Sequence, residues 1–254
     1  MTAKPHWLMS VRPAYVASFL KKTLRIKRRL VKTPVGTFFV DPVSNFGTAA
    51  MSEAGYEPHM ADTIRQLLEP GDTFLDAGAN EGYFSILASQ CVGTTGRVIS
   101  IEPQTRLQGV LYRNIRENSS YNVHVFQRAI SDTVGIAELL LTPDMNPGSS
   151  GLYRTTSYRV ATELVPQITL KAFLDTLSVP SVKLMKMDIE SFEYEAILGS
   201  KELFQRDLIR NIALELHPEV LAKRGKSEQD ILRFLEECGY QVNNRYKTLI
   251  LSKD

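Results

Sequence analysis

Asp76 and the glycine-rich turn after it have the residue types of a ligand-binding site. The turn follows a predicted strand, and ligands of open α/β sheets bind at the carboxyl ends of such strands. Gly78 permits a tight bend and a close approach to the backbone, and Gly82 begins a helix whose free N–H groups favour an anion. A pyrophosphate-binding turn would need glycine where this chain has Asn80 and Tyr83. Asp76 would also repel a diphosphate, so it favours a ligand with an ammonium group and a small carboxylate.

Two more acids follow the next predicted strands. Glu102 ends the second strand, 26 residues after Asp76, and an acid in this place can accept hydrogen bonds from both hydroxyls of a ribose. Asp132 follows the third strand and is a candidate acceptor for an adenine amino group. Each acid alone is consistent with a solvated strand end, but three at successive strand ends beside a glycine turn predict a nucleoside site. The predicted cofactor-binding residues are Asp76, Gly78, Asn80, Gly82, Glu102 and Asp132.

The ends of the fourth and fifth predicted strands carry the candidates for chemistry. Lys186 and Asp188 share one orientation because side chains alternate along a strand, and Glu190 is expected to continue it. Glu215 and His217 follow the next strand and are expected to converge on the same edge. Three interpretations stay open: a general base, a divalent metal held by carboxylates and an imidazole, or a structural ion pair. The predicted catalytic residues are Asp188, Glu190, Lys186 and His217, with no metal ligand assigned.

Strands and helices alternate from residue 73 onward, which predicts a parallel sheet with helices on both faces. The predicted strands cover 73–76, 97–102, 122–130, 182–187 and 211–216, followed by two closing strands at 240–243 and 248–252. No helix separates the last two strands, so they must pair antiparallel. The expected fold class is α/β and Rossmann-like, with a seven-stranded, mostly parallel sheet and a C-terminal antiparallel hairpin. Residues 142–158, rich in Pro, Gly, Ser and Thr, are predicted to be a loop that covers the substrate.

Charge is distributed unevenly along the 254 residues. Residues 1–33 contain nine basic residues and no acid, whereas the rest of the chain has 21 basic and 28 acidic residues. We therefore expect a basic N-terminal helical extension at 1–33, with an amphipathic helix over 13–31, and a separate domain at 34–254. The acidic domain argues against nucleic acid as a partner. The extension is predicted either to contact an anionic membrane peripherally or to pack on the domain or on a second copy.

Several motifs together resemble the FkbM family of S-adenosylmethionine-dependent methyltransferases. They are Gly-Tyr-Glu-Pro at 55–58, Glu-Pro-Gly-Asp at 69–72, Leu-Asp-Ala-Gly-Ala-Asn at 75–80, Gly-Tyr-Phe-Ser at 82–85, Glu-Pro at 102–103, Ala-Ile-Ser-Asp at 129–132, Gly-Ser-Ser at 148–150 and Leu-Met-Lys-Met-Asp-Ile-Glu at 184–190. The resemblance covers about residues 34–252 and implies the class I methyltransferase fold. One position departs from the family pattern, because Ser191 follows the Asp-x-Glu motif where the family usually has glycine.

The resemblance implies S-adenosyl-L-methionine as cofactor and transfer of its methyl group to a hydroxyl of a sugar, glycan or secondary metabolite. It also implies that Glu57 reaches the cofactor or the acceptor. The partner is then a small-molecule or glycan acceptor, with a homo-oligomer as an open alternative. The competing hypothesis is a non-catalytic adenosyl-nucleotide-binding module or partner subunit. Two cysteines without a Cys-x-x-Cys pair, and no apolar run long enough to span a bilayer, favour a cytoplasmic protein.

Overall fold

The computed structural model describes residues 6–11, 14–52, 55–142, 150–153, 161–245 and 248–253. Its strands are β1 (Arg29–Lys32), β2 (Thr37–Val40), β3 (Thr73–Ala77), β4 (Arg97–Ile101), β5 (Val123–Phe126), β6 (Ala129–Ser131), β7 (Gly135–Leu141), β8 (Ala161–Thr169), β9 (Val182–Met187), β10 (Ile209–Glu215), β11 (Gln241–Arg245) and β12 (Thr248–Ser252). Its α-helices are α1 (Ala14–Thr23), α2 (Asn45–Ala50), α3 (Pro58–Leu67), α4 (Tyr83–Val92), α5 (Thr105–Glu117), α6 (Leu170–Thr176), α7 (Glu193–Leu198), α8 (Lys201–Gln205), α9 (Pro218–Lys223) and α10 (Glu228–Glu237), and a 3₁₀ turn covers Trp7–Ser10.

Seven strands form the main sheet in the order β11-β12-β10-β9-β3-β4-β5. Strand β12 is antiparallel to β10 and β11, and the other neighbours are parallel. The expected α/β fold with a terminal antiparallel hairpin is therefore confirmed. The chain proceeds from β3 to β5 on one side and from β9 to β10 on the other, so the switch point lies between β3 and β9, where Asp76 is in register with Lys186.

Helices cover both faces of the main sheet and divide the core into two parts. Phe173 of α6, Phe204 of α8 and Leu235 of α10 belong to the apolar cluster on one face. Ile64 of α3 and Leu111 of α5 belong to the cluster on the other face. Burial of both faces explains why the central strands are almost wholly apolar, since a parallel sheet of this kind has no solvated side.

A second sheet, which the sequence did not predict, has the order β6-β8-β7. The single strand expected over 122–130 is wrong: β5 ends at Phe126, and β6 pairs with β8 in the second sheet instead of continuing along β4. The loop predicted over 142–158 lies largely outside the described residues. Its described part includes Gly151, which forms a backbone bridge with Leu140 of β7.

The helix expected over 13–31 is too long. Arg25 has a φ of 52°, a left-handed conformation that no helix can continue through. The chain then re-forms as β1, which pairs antiparallel with β2 and places Val31 opposite Phe38. Phe38 lies fully in the core and Val31 packs at its edge. Pairing and burial therefore outweigh the helical pattern over these last residues.

The N-terminal segment packs on the domain with only part of its apolar surface. Leu20 and Ile26 contact a small cluster that includes Leu8 and Val43. Phe19 and Leu24, in contrast, remain 67% and 53% exposed. One side of the N-terminal segment therefore packs on the domain, which was one of the predicted alternatives. The other side remains in solvent.

Two asparagines of α5 hold the outer edge of β2. Asn118 accepts from the backbone N–H of Thr37 and donates to its carbonyl, at 2.8 and 2.7 Å. One helical turn earlier, Asn114 accepts from the N–H of Phe39 at 2.7 Å and donates to the carbonyl of Glu81 at 2.8 Å. The four-residue spacing places both amides on one side of the helix, so they follow the strand edge.

Candidate active site

A cavity of about 340 Å³ opens where β3, β4, β9 and β10 end. We call it the active-site cavity. The predicted site residues on its wall are Gly78, Asn80, Glu102, Lys186, Asp188 and Glu190. Glu57 and Glu215, also considered from the sequence, line it too. The cavity therefore sits at the switch point of the sheet, as the strand pattern predicts.

The glycine turn packs directly on the end of β9. Gly78 has a φ of 87°, and a Cβ at this position would lie 1.9 Å from the carbonyl oxygen of Asp188. Only glycine fits, because both the conformation and the contact exclude a side chain. Asn80 is also left-handed, with a φ of 52°. Its Oδ1 is buried and has no hydrogen-bond partner among the described residues.

Glu102 is fixed by backbone donors on both sides. Its Oε2 accepts from the N–H of Asn80 at 2.9 Å, and its Oε1 accepts from the N–H of Gln104 at 3.0 Å. Burial nevertheless raises the pKa of the carboxyl, with the two backbone hydrogen bonds acting in the opposite direction. The orientation of this acid is thus set before any ligand binds.

Asp76 is fully buried behind the glycine turn. Its Oδ2 accepts from the hydroxyl of Ser85 at 2.6 Å, and Ser85 in turn accepts from Ser100 at 2.7 Å. Burial raises the pKa of Asp76, although the charge of Lys186 and the bond from Ser85 lower it. This acid holds neighbouring elements together and is absent from the wall of the active-site cavity.

Lys186 connects the two strands that flank the switch point. Its Nζ donates to the carbonyl of Gly78 at 3.0 Å and lies 3.7 Å from Asp76 Oδ1 and 3.8 Å from Asp188 Oδ2. Burial opposes the charge of this ammonium, but the two carboxylates outweigh burial and raise its pKa. Lys186 therefore stays positive and fixes the glycine turn against β9.

Three side chains form a group just beyond the ends of β9 and β10, and we call this group the reactive rim. It consists of Asp188, Glu190 and His217. One ligand-type atom from each lies within 4.8 Å of the others, so the group also has the donor set for a divalent cation. Asp188 Oδ1 and His217 Nδ1 are buried without a hydrogen-bond partner among the described residues. His217 lies 3.7 Å from Glu190 and 3.6 Å from the fully buried Glu193.

Two pKa values of the reactive rim are raised, which favours the neutral form of the acid and the charged form of the imidazole. Burial, and then the charge of Asp188, raise the pKa of Glu190 to about 7. Burial disfavours the charged form of His217, but the nearby carboxylate of Glu193, together with that of Glu190, raises its pKa to about 9. At neutral pH the imidazole is thus protonated, and the carboxyl of Glu190 is present in both protonation states.

The backbone of the turn after β9 explains why glycine is usual at the position of Ser191. Glu190 and Ser191 have φ values of 54° and 76°, in the left-handed region that favours glycine. The strand therefore ends at Met187, and Glu190 reaches the wall through this turn instead of by strand alternation. Ser191 donates its N–H to Glu193 at 3.2 Å and accepts a hydrogen bond from Arg224 at its carbonyl, which anchors the turn.

Besides Asp76, two more predicted cofactor-binding residues are absent from the wall. Asp132 is exposed after β6, where its Cα and Cβ approach Gly199. Ala129 and Ile130 of β6 line the cavity, but Asp132, just beyond the strand, faces solvent. Gly82 is also absent from the lining; its φ is 87°, and a Cβ there would meet Leu111 at 2.4 Å. This glycine serves the packing of α4 on α5.

An aromatic wall, which the sequence analysis missed, faces the carboxylates. It consists of Phe46, Tyr56, Tyr83 and Phe84, whose ring centroids lie 5.1–5.9 Å apart in the contacting pairs. The motifs at 55–58 and 82–85 contain three of these rings. Their convergence depends on α2 and α3 packing over α4, a tertiary contact that local patterns do not show.

The model of the methyltransferase FkbM domain matches residues 76–242, about two thirds of the chain. The chain belongs to the FkbM methyltransferase family. This FkbM protein is an S-adenosylmethionine-dependent methyltransferase. No curated protein gives a significant match to it. Among the described residues, none of the helices has the length and apolar character needed to cross a bilayer.

Solved structures similar to this FkbM methyltransferase include three from different organisms. A methyltransferase FkbM from Methylobacillus flagellatus KT has 16% identity and a TM-score of 0.44, over 76% of this chain and 50% of that one. An rRNA methylase from Streptococcus thermophilus has 10% identity and a TM-score of 0.47, over 77% and 94%. Fibrillarin from Aeropyrum pernix, in complex with natively bound S-adenosyl-L-methionine, has 13% identity and a TM-score of 0.42, over 76% and 73%.

The wall of the FkbM methyltransferase cavity fits its cofactor in chemical type. The unpartnered Oδ1 of Asn80 offers an acceptor beside Glu102, whose carboxylate is already oriented. Both are acceptors, and a nucleoside presents hydroxyl and amino donors to such groups. Gly78 lines the cavity with its backbone, since the direction of its missing side chain is filled by the carbonyl of Asp188.

Proposed function

We propose that this FkbM methyltransferase transfers the methyl group to a hydroxyl oxygen of a sugar, a glycan or a secondary metabolite. The observation that carries the proposal is the carboxylate pair on the cavity wall, Asp188 and Glu190, whose environments differ. A hydroxyl is a weak nucleophile until its proton is removed, so a base beside the acceptor is what O-methylation requires.

In this proposal the cofactor lies against the turn at Gly78, with Glu102 accepting from the ribose hydroxyls and Asn80 Oδ1 accepting from a donor of the nucleoside. Bound there, the cofactor supplies an electrophilic methyl group on a sulfonium. Asp76 acts indirectly, because it holds Lys186 and Ser85 behind the turn. Asp132 and Gly82 have no part in the proposed site.

The two carboxylates of the reactive rim have different tasks in this mechanism. Glu190 accepts the proton of the acceptor hydroxyl, because its pKa near 7 suits a base at neutral pH. Asp188, 3.8 Å from the ammonium of Lys186, accepts a hydrogen bond from a second, neighbouring hydroxyl of the acceptor and so orients the reacting one. His217 is a positioning residue that keeps Glu190 in place with its positive charge. Such a division between two neighbouring acids follows from their unequal surroundings.

The aromatic wall supports an acceptor whose reacting part is uncharged and polyhydroxylated. Faces of Phe46, Tyr56 and Phe84 offer apolar surface to the C–H groups of a sugar ring or a similar scaffold. The carboxylates opposite accept hydrogen bonds from its hydroxyl groups, and Arg128 on the same wall donates to its oxygens. This combination of apolar faces and acceptors fits sugars and hydroxylated metabolites alike.

Methyl-labelled S-adenosylmethionine tests the proposal. The full chain is incubated with ¹³C-methyl cofactor and a panel of sugars, glycans and hydroxylated metabolites, and the labelled product is examined by NMR. We expect a methoxy resonance in at least one product, and its loss in the Glu190→Gln variant. A label on nitrogen or carbon contradicts the proposal. Cofactor binding without turnover across the panel would favour the non-catalytic hypothesis instead.

Sensitivity to a chelator distinguishes a simple base from a metal-assisted mechanism. If Glu190 acts as a simple base, turnover is unchanged by EDTA, and added Mg²⁺ or Mn²⁺ has no effect. If Asp188, Glu190 and His217 hold a divalent cation, EDTA abolishes turnover and the metal restores it. The same measurement in His217→Gln then shows whether the imidazole is a ligand.

For partners, we propose a small-molecule or glycan acceptor together with peripheral contact of the N-terminal segment with an anionic membrane. Exposed Phe19 and Leu24 support this contact, because they lie in a basic segment without acids, with Arg25 next to Leu24. The molar mass of the full chain by light scattering tests the homo-oligomer hypothesis, for which a mass of twice 28.6 kDa is the first expectation.

A further inference from the structure

A second, open cavity of about 410 Å³ lies between the N-terminal segment and α5. We call it the basic groove. Its lining residues are Lys21, Ile26, Lys27, Arg28, Asp41, Arg106 and Leu107. Four of these are cationic and one is acidic, so the surface has a strong excess of positive charge in an otherwise acidic domain.

The excess charge persists after the ion pairs of the groove are considered. Lys21 pairs with Asp41, and Arg28 forms a bidentate pair with Glu81 at 2.8 and 2.9 Å. Lys27 is exposed and makes no ion pair with any acid in the described ranges. The pairs hold two of the cations in place, while Lys27 remains available to an anion.

Two contacts join the basic groove to the active-site cavity. Glu81, the partner of Arg28, also lines the active-site cavity. Arg106 donates to Gln104 Oε1 at 2.9–3.0 Å and to Ser150 Oγ at 3.0 Å, and both acceptors line the same cavity. Side chains that line the basic groove are therefore in direct contact with side chains that line the active-site cavity.

We propose that the basic groove binds a phosphate group of the methyl acceptor while its hydroxyl-bearing part occupies the active-site cavity. The active-site cavity is lined by Glu57, Asp188, Glu190 and Glu215, which repel a phosphate. An acceptor that carries phosphate must place it outside that cavity, and the basic groove is the adjoining surface with guanidinium and ammonium donors.

That the bound phosphate belongs to the methyl acceptor rests on the proposed function. That the basic groove binds phosphate does not depend on it. The phosphate belongs either to a soluble phosphate ester or to the headgroup of a lipid-linked acceptor or an anionic lipid. Both sources present phosphate oxygens to Lys27 and Arg106. Inorganic pyrophosphate and lipid vesicles are therefore the two arms of the test.

Inorganic pyrophosphate is the probe for the soluble source. Its binding to the full chain is measured by calorimetry for the wild type, Lys27→Glu and Lys22→Glu. Lys22 is the matched control, because it is basic, exposed and in the same segment but outside the lining of the groove. We expect Lys27→Glu to weaken binding by about fivefold or more and Lys22→Glu to change it by less than about twofold, since charge interactions in water fall off with distance.

Vesicles test the lipid source with the same three proteins. Co-sedimentation is compared for phosphatidylglycerol vesicles and for neutral phosphatidylcholine vesicles. Binding of pyrophosphate that is lost only in Lys27→Glu supports the groove and a soluble phosphate ester. Binding to phosphatidylglycerol alone, with the same selective loss, supports the groove and a lipid headgroup.

Other results overturn the inference. Absence of binding to either probe eliminates the groove as a phosphate site. Equal losses in Lys27→Glu and Lys22→Glu show diffuse attraction by the whole segment instead. Thermal unfolding checks that both variants fold, and Lys27→Ala repeats the test without a new negative charge. Because neither arm measures turnover, a failure of O-methylation in the NMR experiment leaves this result unaffected, and the reverse also holds.

Discussion

The glycine-turn side of the active-site cavity and the reactive rim are built on opposite principles. On the first side, Gly78 is locked against β9, and both oxygens of Glu102 accept from backbone N–H groups. On the second, Asp188 and Glu190 stand close to each other, and buried atoms of Asp188 and His217 lack partners among the described residues. A side whose carboxylate is fixed in advance, with Asn80 Oδ1 left open to a ligand donor, suits binding, whereas closely spaced carboxylates beside an imidazole suit chemistry.

The largest difference between the two sides is expected in turnover. Asp188→Asn and Glu190→Gln should each lower kcat by about 10²–10⁴-fold, since the first removes the group that orients the acceptor and the second removes its base. The dissociation constant of S-adenosylmethionine should remain within a few-fold. Asp62→Asn, on the exposed surface of α3, is the matched control. Unchanged kcat in both rim variants would remove the distinction between the two sides.

Stability should respond most on the glycine-turn side. Gly78→Ala should lower the free energy of unfolding by about 2–4 kcal/mol, because a Cβ meets the carbonyl of Asp188 in a left-handed conformation. Gly109→Ala in α5 is the control, since its Cβ meets no atom within 4 Å and alanine favours a helix by about 0.5–1 kcal/mol. Urea unfolding measures both. Equal effects would show that the close packing of the turn is unimportant.

Cofactor affinity should separate Glu102 from the rim. Glu102→Ala should weaken binding of S-adenosylmethionine by about 1–3 kcal/mol through the loss of charge-assisted hydrogen bonds. At saturating cofactor, kcat should stay near the wild-type value, the reverse of the pattern for Asp188→Asn. Calorimetry and steady-state kinetics on the same preparation distinguish the two. A fall in kcat without a change in affinity would assign Glu102 to chemistry.

The pH dependence of turnover should come from the rim alone. Glu190 must be ionised to accept a proton, and its pKa is raised to about 7, so kcat should fall about tenfold per unit below pH 7. His217, with a pKa of about 9, should lose its proton above that pH, and activity should fall again. The two apparent pKa values of this pH profile belong to Glu190 and His217 as a coupled pair. Glu190→Gln should lack the acidic limb; a limb that survives has another origin.

A small gain is expected at the turn after β9. Ser191→Gly should raise the free energy of unfolding by about 0.5–1 kcal/mol, because glycine adopts a φ of 76° without strain. The backbone hydrogen bonds of this residue to Glu193 and Arg224 are retained. Thermal unfolding detects the shift. A loss of stability would mean that the buried hydroxyl contributes more than the strain costs.

The sheet and part of the site could be predicted because their information is local. Alternating strands and helices fix the switch point, and Glu102 follows directly from its place at the end of β4. Asp132 was expected at the cavity because a continuous strand was assumed over 122–130, but residues 129–131 pair with β8. That choice depends on a partner strand more than 30 residues away, which the local sequence does not encode.

The rim shows the same limit at shorter range. Strand alternation placed Asp188 and Glu190 on one side, and both do line the cavity, but two left-handed residues bring Glu190 there. The aromatic wall and the pair between Arg28 and Glu81 depend on helices and a hairpin folding over α4. Contacts between elements distant in sequence decide these features, and no periodic pattern records them.

The asparagine contacts on β2 have a consequence for association between molecules. A strand at the margin of a sheet normally offers a row of unpaired amide groups that another chain can join. Here β1 occupies one margin of β2, and the amides of Asn114 and Asn118 occupy positions on the other by imitating a neighbouring backbone. Replacing both asparagines by leucine would expose the amide groups of that margin. The two side chains therefore protect the hairpin from aggregation through strand addition.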